Sequence, residues 1–310
     1  MAKLDESASG VYIIAVTPFT DSGALDLDST DRMVDFYLER GVTGFTILGM
    51  MGEAPKLTLA ESRSFVKRVL NRLDGRVPVV VGVSSPGFAS MSELSAAVMD
   101  AGAAGVMVAP PSSLKTDDQI VAYYTGVVEA IGPATPFVLQ DYPLSTGVAI
   151  APSVIARIIK SLPSCVMLKH EDWPGLAKVT ALREMMARNE LRRISILVGN
   201  GGLFLPEEME RGVDGAMTGF AYPEMMVGVV KASQAGQRDR ARDIFDAYLP
   251  LARYEQQPGI GLAIRKYILQ KRGAIASAAL RKPAPKLAPV DIDEVERMIA
   301  RQEARLKEIG

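Results

Sequence analysis

The chain has 310 residues, 48% of them apolar and 23% charged, proportions that suit one large globular core. Lys and Arg number 35 against 36 Asp and Glu, a net charge of −1, so no basic field attracts a nucleic-acid backbone and no nucleic-acid partner is expected. A single cysteine, Cys165, and a single histidine, His170, exclude an internal disulfide and any multi-cysteine or histidine-rich metal site. The opening MAKLDESASG carries acids and no apolar stretch, which argues against a secretory signal. No uninterrupted apolar run approaches the ~18 residues that span a bilayer. A soluble cytoplasmic protein without a membrane partner is expected.

Along the chain, short apolar runs recur, each followed by a helical pattern. They are VYIIAV (11–16), GFTIL (44–48), VPVVVGV (77–83), GVMVA (105–109), PFVLQ (136–140), CVMLK (165–169), ISILVG (194–199) and GAMTG (215–219). Runs this short, rich in Val and Ile and apolar on both faces, read as buried parallel strands. Between them the spacing is helical, as in 60–70, where Phe65, Val66, Val69 and Leu70 share a face. One αβ turn appears three times, as Gly41-Val-Thr-Gly44, Gly102-Ala-Ala-Gly105 and Gly212-Val-Asp-Gly215. Its first glycine suits a left-handed helix C-cap and its second a tight entry to the next strand. Eight such units predict a (β/α)8 TIM barrel over 1–235, with a doubly wound open sheet as the alternative. Helical stretches at about 223–235, 237–254, 258–273 and 291–308 follow the last run. The first closes the barrel; the others predict a C-terminal helical appendage over 236–310, with 279–286 as a Pro-rich surface linker.

Barrel enzymes place their chemistry at the C-terminal ends of the strands. Lys169 ends the sixth run, the one run that closes in lysine. Desolvation in a barrel mouth disfavours an ammonium and frees an amine as nucleophile, although a strand-end lysine also snorkels to water or pairs with an acid. Period-two alternation sends Met167 and Glu171 the same way as Lys169, so Glu171 is an acid or base, or the lysine's counter-ion. His170 faces the other side and reads as a hydrogen-bonded structural residue. Gly49-Met-Met-Gly52-Glu53 follows the second strand, as either a carboxylate-binding nest of backbone N–H groups or a plain tight turn. Gly199-Asn-Gly-Gly202 follows the seventh, where many barrels hold phosphate. On the fifth, Gln140 and Tyr142 share a side; the Gln140 amide can hydrogen-bond a substrate but cannot shuttle protons, and Tyr142 otherwise reads as a loop aromatic.

Together these residues resemble the dihydrodipicolinate synthase / N-acetylneuraminate lyase family of Schiff-base (class I) aldolases. The likeness runs from about Gly10 to Arg272. It rests on Val16-Thr-Pro-Phe19, on Gly49-x-x-Gly52-Glu53 with Leu57-Thr58, on Pro143-x-x-Thr146-Gly147, on Lys169 at the imine-forming position, and on Gly212-Val-Asp-Gly215. The resemblance implies Lys169, Gln140, Tyr142 and Glu171 as catalytic residues, and Thr17, Met50, Met51, Gly199 and Met217 as substrate-binding ones. It also implies a homo-oligomer, often a tetramer, and no cofactor, because the lysine imine is itself the electron sink. The chain departs from the family pattern in several places. Met50 and Met51 replace a Thr-Thr or Ser-Thr pair, and Gln140-Asp141 replaces Tyr-Asn. Ser145 stands where the synthases grip a dicarboxylate with arginine, and Pro111-Ser-Ser stands where they place an interface tyrosine. The tyrosine–threonine–tyrosine proton relay of the synthases is therefore absent.

The expected function is that of a lyase whose Lys169 forms a Schiff base with a pyruvate-type 2-oxo acid. It would catalyse aldol cleavage or condensation, or dehydration of a 2-keto-3-deoxy sugar acid. The Gln-Asp-x-Pro sequence and Lys169-x-Glu171 are more similar to the family's dehydratases than to its synthases. Alternatives are dihydrodipicolinate synthase proper, a barrel that binds 2-oxo acids without reacting, and a phosphate- or flavin-binding barrel built on Gly199–Gly202.

Overall fold

The apolar runs pair side by side as parallel strands: β1 (Gly10–Ile14), β2 (Gly44–Ile47), β3 (Val79–Gly82), β4 (Gly105–Val108), β5 (Phe137–Asp141), β6 (Cys165–His170), β7 (Ser195–Val198) and β8 (Gly215–Ala216). In the computed structural model they follow chain order round a closed barrel, β8 returning to β1, so the open-sheet alternative is excluded. The structure describes residues 3–173 and 175–310; Met1 and Ala2, which begin the N-terminal stretch and the expected barrel span, and Pro174 lie outside the described residues.

Strand alternation sorts the core into two shells. Tyr12, Ile14, Val80, Met107, Val138 and Met167 fill the barrel interior. Their neighbours Val11, Ile13, Val79, Val81, Leu139 and Leu168 face outward against the helices. Each such side chain contributes about 1.5–3 kcal/mol when fully buried, which is why the strands are largely apolar on both faces, the polar ends of β5 and β6 being the main departure. Leu4, whose N–H donates to the Ala104 carbonyl at 2.8 Å, closes the end of the barrel opposite the strand C-termini.

The helices are α1 (Leu27–Glu39), α2 (Leu59–Leu73), α3 (Phe88–Asp100), α4 (Asp117–Ile131), the single turn α5 (Pro143–Thr146), α6 (Pro152–Ser161), α7 (Leu176–Ala187), α8 (Leu205–Glu210) and α9 (Pro223–Gln234). Helix α2 buries Phe65, Val66, Val69 and Leu70 and starts with a capping box between Thr58 and Glu61. The repeated αβ turn works as its glycines predict. Gly41 has φ +77°, in the left-handed region. A Cβ on Gly44 would press to 2.5 Å from the ring of Tyr12, its register partner on the neighbouring strand β1.

Beyond α9 come α10 (Arg238–Glu255), α11 (Gly261–Lys271) and α12 (Pro289–Ile309). Leu251, Ala252, Ile264, Ile268, Val295 and Ile299 from these helices are buried in the same core as the barrel's outer shell. The stretch expected as a surface linker is tied down at its start. The Ala279 carbonyl accepts from Lys266 Nζ at 2.9 Å, and the Arg281 guanidinium forks onto Glu61 at 2.7 and 2.8 Å. Its prolines signalled a loop; the bidentate arginine, which has no periodic signature, anchors it.

Candidate active site

Strands β5 and β6 end side by side, Gln140 in register with Lys169 and Asp141 with His170. The register sends the first pair into the barrel mouth and the second outward. Inside, Lys169 Nζ lies 2.9 Å from Glu171 Oε2, and Gln140 Nε2 donates to that same oxygen at 2.7 Å. Lys169 is 4% exposed and Glu171 6%. Their surroundings are therefore poor in water, where a charge-assisted bond is strong and an unpaired charge costly. Outside, Asp141 receives Lys178 at 2.7 Å, and His170 Nε2 lies 3.1 Å from the Gly175 carbonyl. His170 thus has the structural place that alternation predicts, turned away from the lysine.

Lys169, Glu171 and Gln140 line a cavity of about 610 Å³ at the C-terminal ends of the strands. Met50 and Met51 line one side, in a 3-10 turn (Met50–Gly52) that follows β2. Their N–H groups begin the turn, where no preceding carbonyl can accept from them. Thr17 Oγ1 holds the turn from behind, donating to the Gly52 carbonyl at 2.6 Å. Glu53, in the left-handed region at φ +54°, anchors its end. One carboxylate oxygen receives Lys266 Nζ at 2.7 Å, and the other receives Lys56 Nζ and the Arg281 N–H, each at 3.0 Å.

Tyr142 leads into α5 and also lines the cavity. Burial, then the nearby Glu171 carboxylate, push its phenol above the ordinary value, with Arg265 pulling the other way. Tyr142 consequently stays a neutral donor at physiological pH. After β7, Asn200 Nδ2 donates to the Glu171 carbonyl at 2.9 Å, and Gly201 N–H donates to Thr218 Oγ1 at 2.8 Å. Asn200, Gly201 and Thr218 line the cavity as well.

Of the nine residues singled out from the sequence, Lys169, Gln140, Glu171, Tyr142, Met50 and Met51 converge on this one cavity. Three do not reach its wall. Thr17 lies under the Met50–Gly52 turn. Gly199 gives its bare Cα to the Glu171 side chain, which a Cβ there would strike. Met217 is packed in the barrel interior. Strand β8 stops at Ala216, so alternation no longer decides between Met217 and Thr218, and it is Thr218 that faces the cavity.

The far wall comes from the C-terminal helices: Glu255 from α10, Gln256 and Gln257 from the link, Leu262 and Arg265 from α11. None of these was legible as a site residue. The only signal was an Arg265-Lys266 pair inside the otherwise apolar stretch Leu262–Leu269. Among the described residues, no three His, Cys, Asp or Glu side chains converge as a metal-holding group, and no helix is long and apolar enough to cross a membrane.

Comparison with known proteins places this geometry. A family model described as the dihydrodipicolinate synthetase family matches residues 7–302. The chain is 32% identical over 284 residues to an L-2-keto-3-deoxyarabonate dehydratase of Azospirillum brasilense, covering 90% of each chain. It is also 32% identical over 303 residues to a 4-hydroxy-tetrahydrodipicolinate synthase of Sorangium cellulosum, covering 96% of this chain and 97% of the relative. The crystal structure of a dihydrodipicolinate synthase from Rhodopseudomonas palustris superposes with a TM-score of 0.96 at 54% identity, covering 97% of this chain and 100% of that one.

Proposed function

The chain belongs to the dihydrodipicolinate synthetase family and is a lyase, and from that footing we propose that it forms an imine between Lys169 and a 2-oxo acid and eliminates water from a 2-keto-3-deoxy sugar acid. The observation that carries this reading is the buried triad that lines the cavity, in which Glu171 is bonded both to Lys169, 2.9 Å away, and to Gln140, 2.7 Å away.

The substrate carboxylate sits at the N–H groups of Met50 and Met51, where charge and hydrogen bonding both favour an anion. The Lys169 amine, its proton passed to Glu171, adds to the C2 carbonyl. Glu171 returns that proton to the carbinolamine hydroxyl, which leaves as water and gives an iminium, with Glu171 again a carboxylate. The iminium acidifies C3, and Glu171 takes a C3 proton with the C–H pair moving into the enamine. The enamine pair then re-forms the iminium C=N and opens a C3=C4 bond as the C4 hydroxyl departs with a proton. Tyr142, a neutral donor at the same cavity, supplies it. Glu171 gives up the C3 proton to restore the Tyr142 phenol, and hydrolysis of the conjugated iminium returns the lysine. Gln140 supplies no proton in this scheme; its amide fixes the carboxylate oxygen that takes one.

A second reading, condensation as in the synthases, is favoured by the names of two similar proteins. It shares the imine and the enamine and differs in the enamine attacking an aldehyde. Against it stands Ser145 on α5, a small neutral side chain where that chemistry uses a cation to hold a second carboxylate. Homo-oligomeric, tetrameric assembly and a cytoplasmic location belong to the same proposal. The test is proton NMR of the enzyme with 4,5-dihydroxy-2-oxopentanoate, alongside pyruvate with aspartate semialdehyde. Loss of water from the first without release of pyruvate supports the dehydratase. Pyruvate release from the first assigns cleavage, and turnover only in the second assigns the synthase.

A further inference from the structure

Arg265 is 1% exposed, yet it reaches the cavity wall. Its Nε donates to Glu255 Oε1 at 2.6 Å and its Nη2 to the Gly219 carbonyl at 2.7 Å. The other Glu255 oxygen accepts the Ala221 N–H at 3.0 Å, which fixes the pair from both sides. Nη1 has no partner. It lies against Gly219, itself a lining residue, and a Cβ on that glycine would collide with it. A buried guanidinium nitrogen without an acceptor is costly, on the order of 1–3 kcal/mol, and a ligand oxygen entering beside Gly219 removes that cost.

Charge decides what kind of oxygen. The charged groups lining the cavity are Lys169, Arg265, Glu171 and Glu255. Each cation is already paired with a carboxylate, at 2.9 and 2.6 Å. With Glu255 neutralising Arg265, a second substrate carboxylate on this wall would be an uncompensated buried charge. A hydroxyl accepts from Nη1 with no such penalty. Thr218, whose oxygen already accepts from Gly201 N–H, keeps its hydroxyl proton to donate on the same wall.

Resting on the imine chemistry proposed above, we propose that Arg265 is the specificity-determining residue of this site, its Nη1 bonding a neutral hydroxyl at the end of the substrate remote from the 2-oxo acid. The chain then selects hydroxyl-terminated monocarboxylates over both their terminally deoxygenated analogues and dicarboxylates. The experiment compares three probes of the wild-type enzyme: 4,5-dihydroxy-2-oxopentanoate, 4-hydroxy-2-oxopentanoate and 4-hydroxy-2-oxoglutarate. The readout is the half-saturating concentration for borohydride trapping at Lys169. The first probe is expected to saturate about tenfold lower than the second, and the third to be weakest. Arg265→Lys keeps the charge beside Glu255 but removes the second fork nitrogen, and should bring the first two probes level.

A wild-type ratio near one, a preference for the dicarboxylate, or a ratio unchanged in Arg265→Lys overturns the proposal. The wild-type ratios stand on their own if that variant does not fold. If no probe forms an imine, it is the function proposed above that fails, and the same ratios are read from ligand-induced shifts in melting temperature, which need no covalent step.

Discussion

Glu171 is held by Lys169 and Gln140 through one oxygen, so its position is fixed by a neutral amide as well as by a charge. Glu171→Gln retains the shape and removes the base. Turnover is expected to fall on the order of 10²–10⁴-fold, while borohydride still traps an imine at Lys169 at saturating substrate, formed more slowly because the amine has lost its proton acceptor; steady-state kinetics beside trapping separates the two steps. Equal loss of both would make Glu171 a mere counter-ion of the lysine. Away from the chemistry, Glu208 on α8 has a shielded oxygen with no partner. Burial, then its neighbour Glu207, push its carboxyl up to about 8. The unfolded chain loses this proton near the usual carboxylate value of 4.5 and the folded chain keeps it until about 8, so the stability it lends is full at low pH and drains as pH rises through that window. Glu208→Gln, neutral throughout, should gain stability relative to the wild type between about pH 5 and about pH 9 in urea titrations. A difference independent of pH would contradict this. Period-two alternation sufficed to place Lys169 with Glu171 and, separately, Gln140 with Tyr142; that Gln140 stands in register with Lys169 is a pairing between strands, which alternation within one strand does not report. Glu208 was illegible, because nothing in a helical pattern reports that one acid among Glu207, Glu208 and Glu210 faces inward.

At the scale of elements, the turn after β2 is held by a helix more than two hundred positions away. Lys266 on α11 is fully buried and donates to Glu53 Oε1, the Thr17 carbonyl and the Ala279 carbonyl at 2.7–2.9 Å. Burial pulls its ammonium below the ordinary value while Glu53 works in the opposite direction. Removing Lys266 leaves one Glu53 oxygen and the Thr17 and Ala279 carbonyls without a donor in a dry place, Lys56 and the Arg281 N–H remaining on the other Glu53 oxygen. Lys266→Met is expected to cost about 3–5 kcal/mol in guanidinium unfolding, and adding Glu53→Gln should recover part of it. A double variant as unstable as the sum of the two single ones would show that they do not act as a pair. The glycine bracket Gly49–Gly52 announced a turn, and Glu53 marked its end; that Lys266 completes it could not be read, since a contact between distant elements leaves no local period.

For the whole molecule, the eight-fold recurrence of short apolar runs and the three glycine turns made the barrel legible, because buried strands are largely apolar on both faces and three of the αβ turns use the same two glycines. The C-terminal helices were visible as helices but not as part of the site, for their amphipathic patterns show how much they bury and not against what. Since α10 to α12 share the outer core and α10 and α11 wall the cavity, a chain ended at residue 235 should lose cooperative unfolding and near-UV ellipticity together; a native-like sigmoidal melt of that fragment would make the helices a true appendage.

The central claim, that Lys169 is an imine-forming nucleophile, is met most directly by treating the protein with pyruvate and borohydride and mapping the product by peptide mass spectrometry beside Lys169→Ala. A reduced pyruvyl group on Lys169, absent from the variant, is the predicted result. An unmodified Lys169 with pyruvate and with longer 2-oxo acids, or an adduct equally present on other lysines, would contradict it.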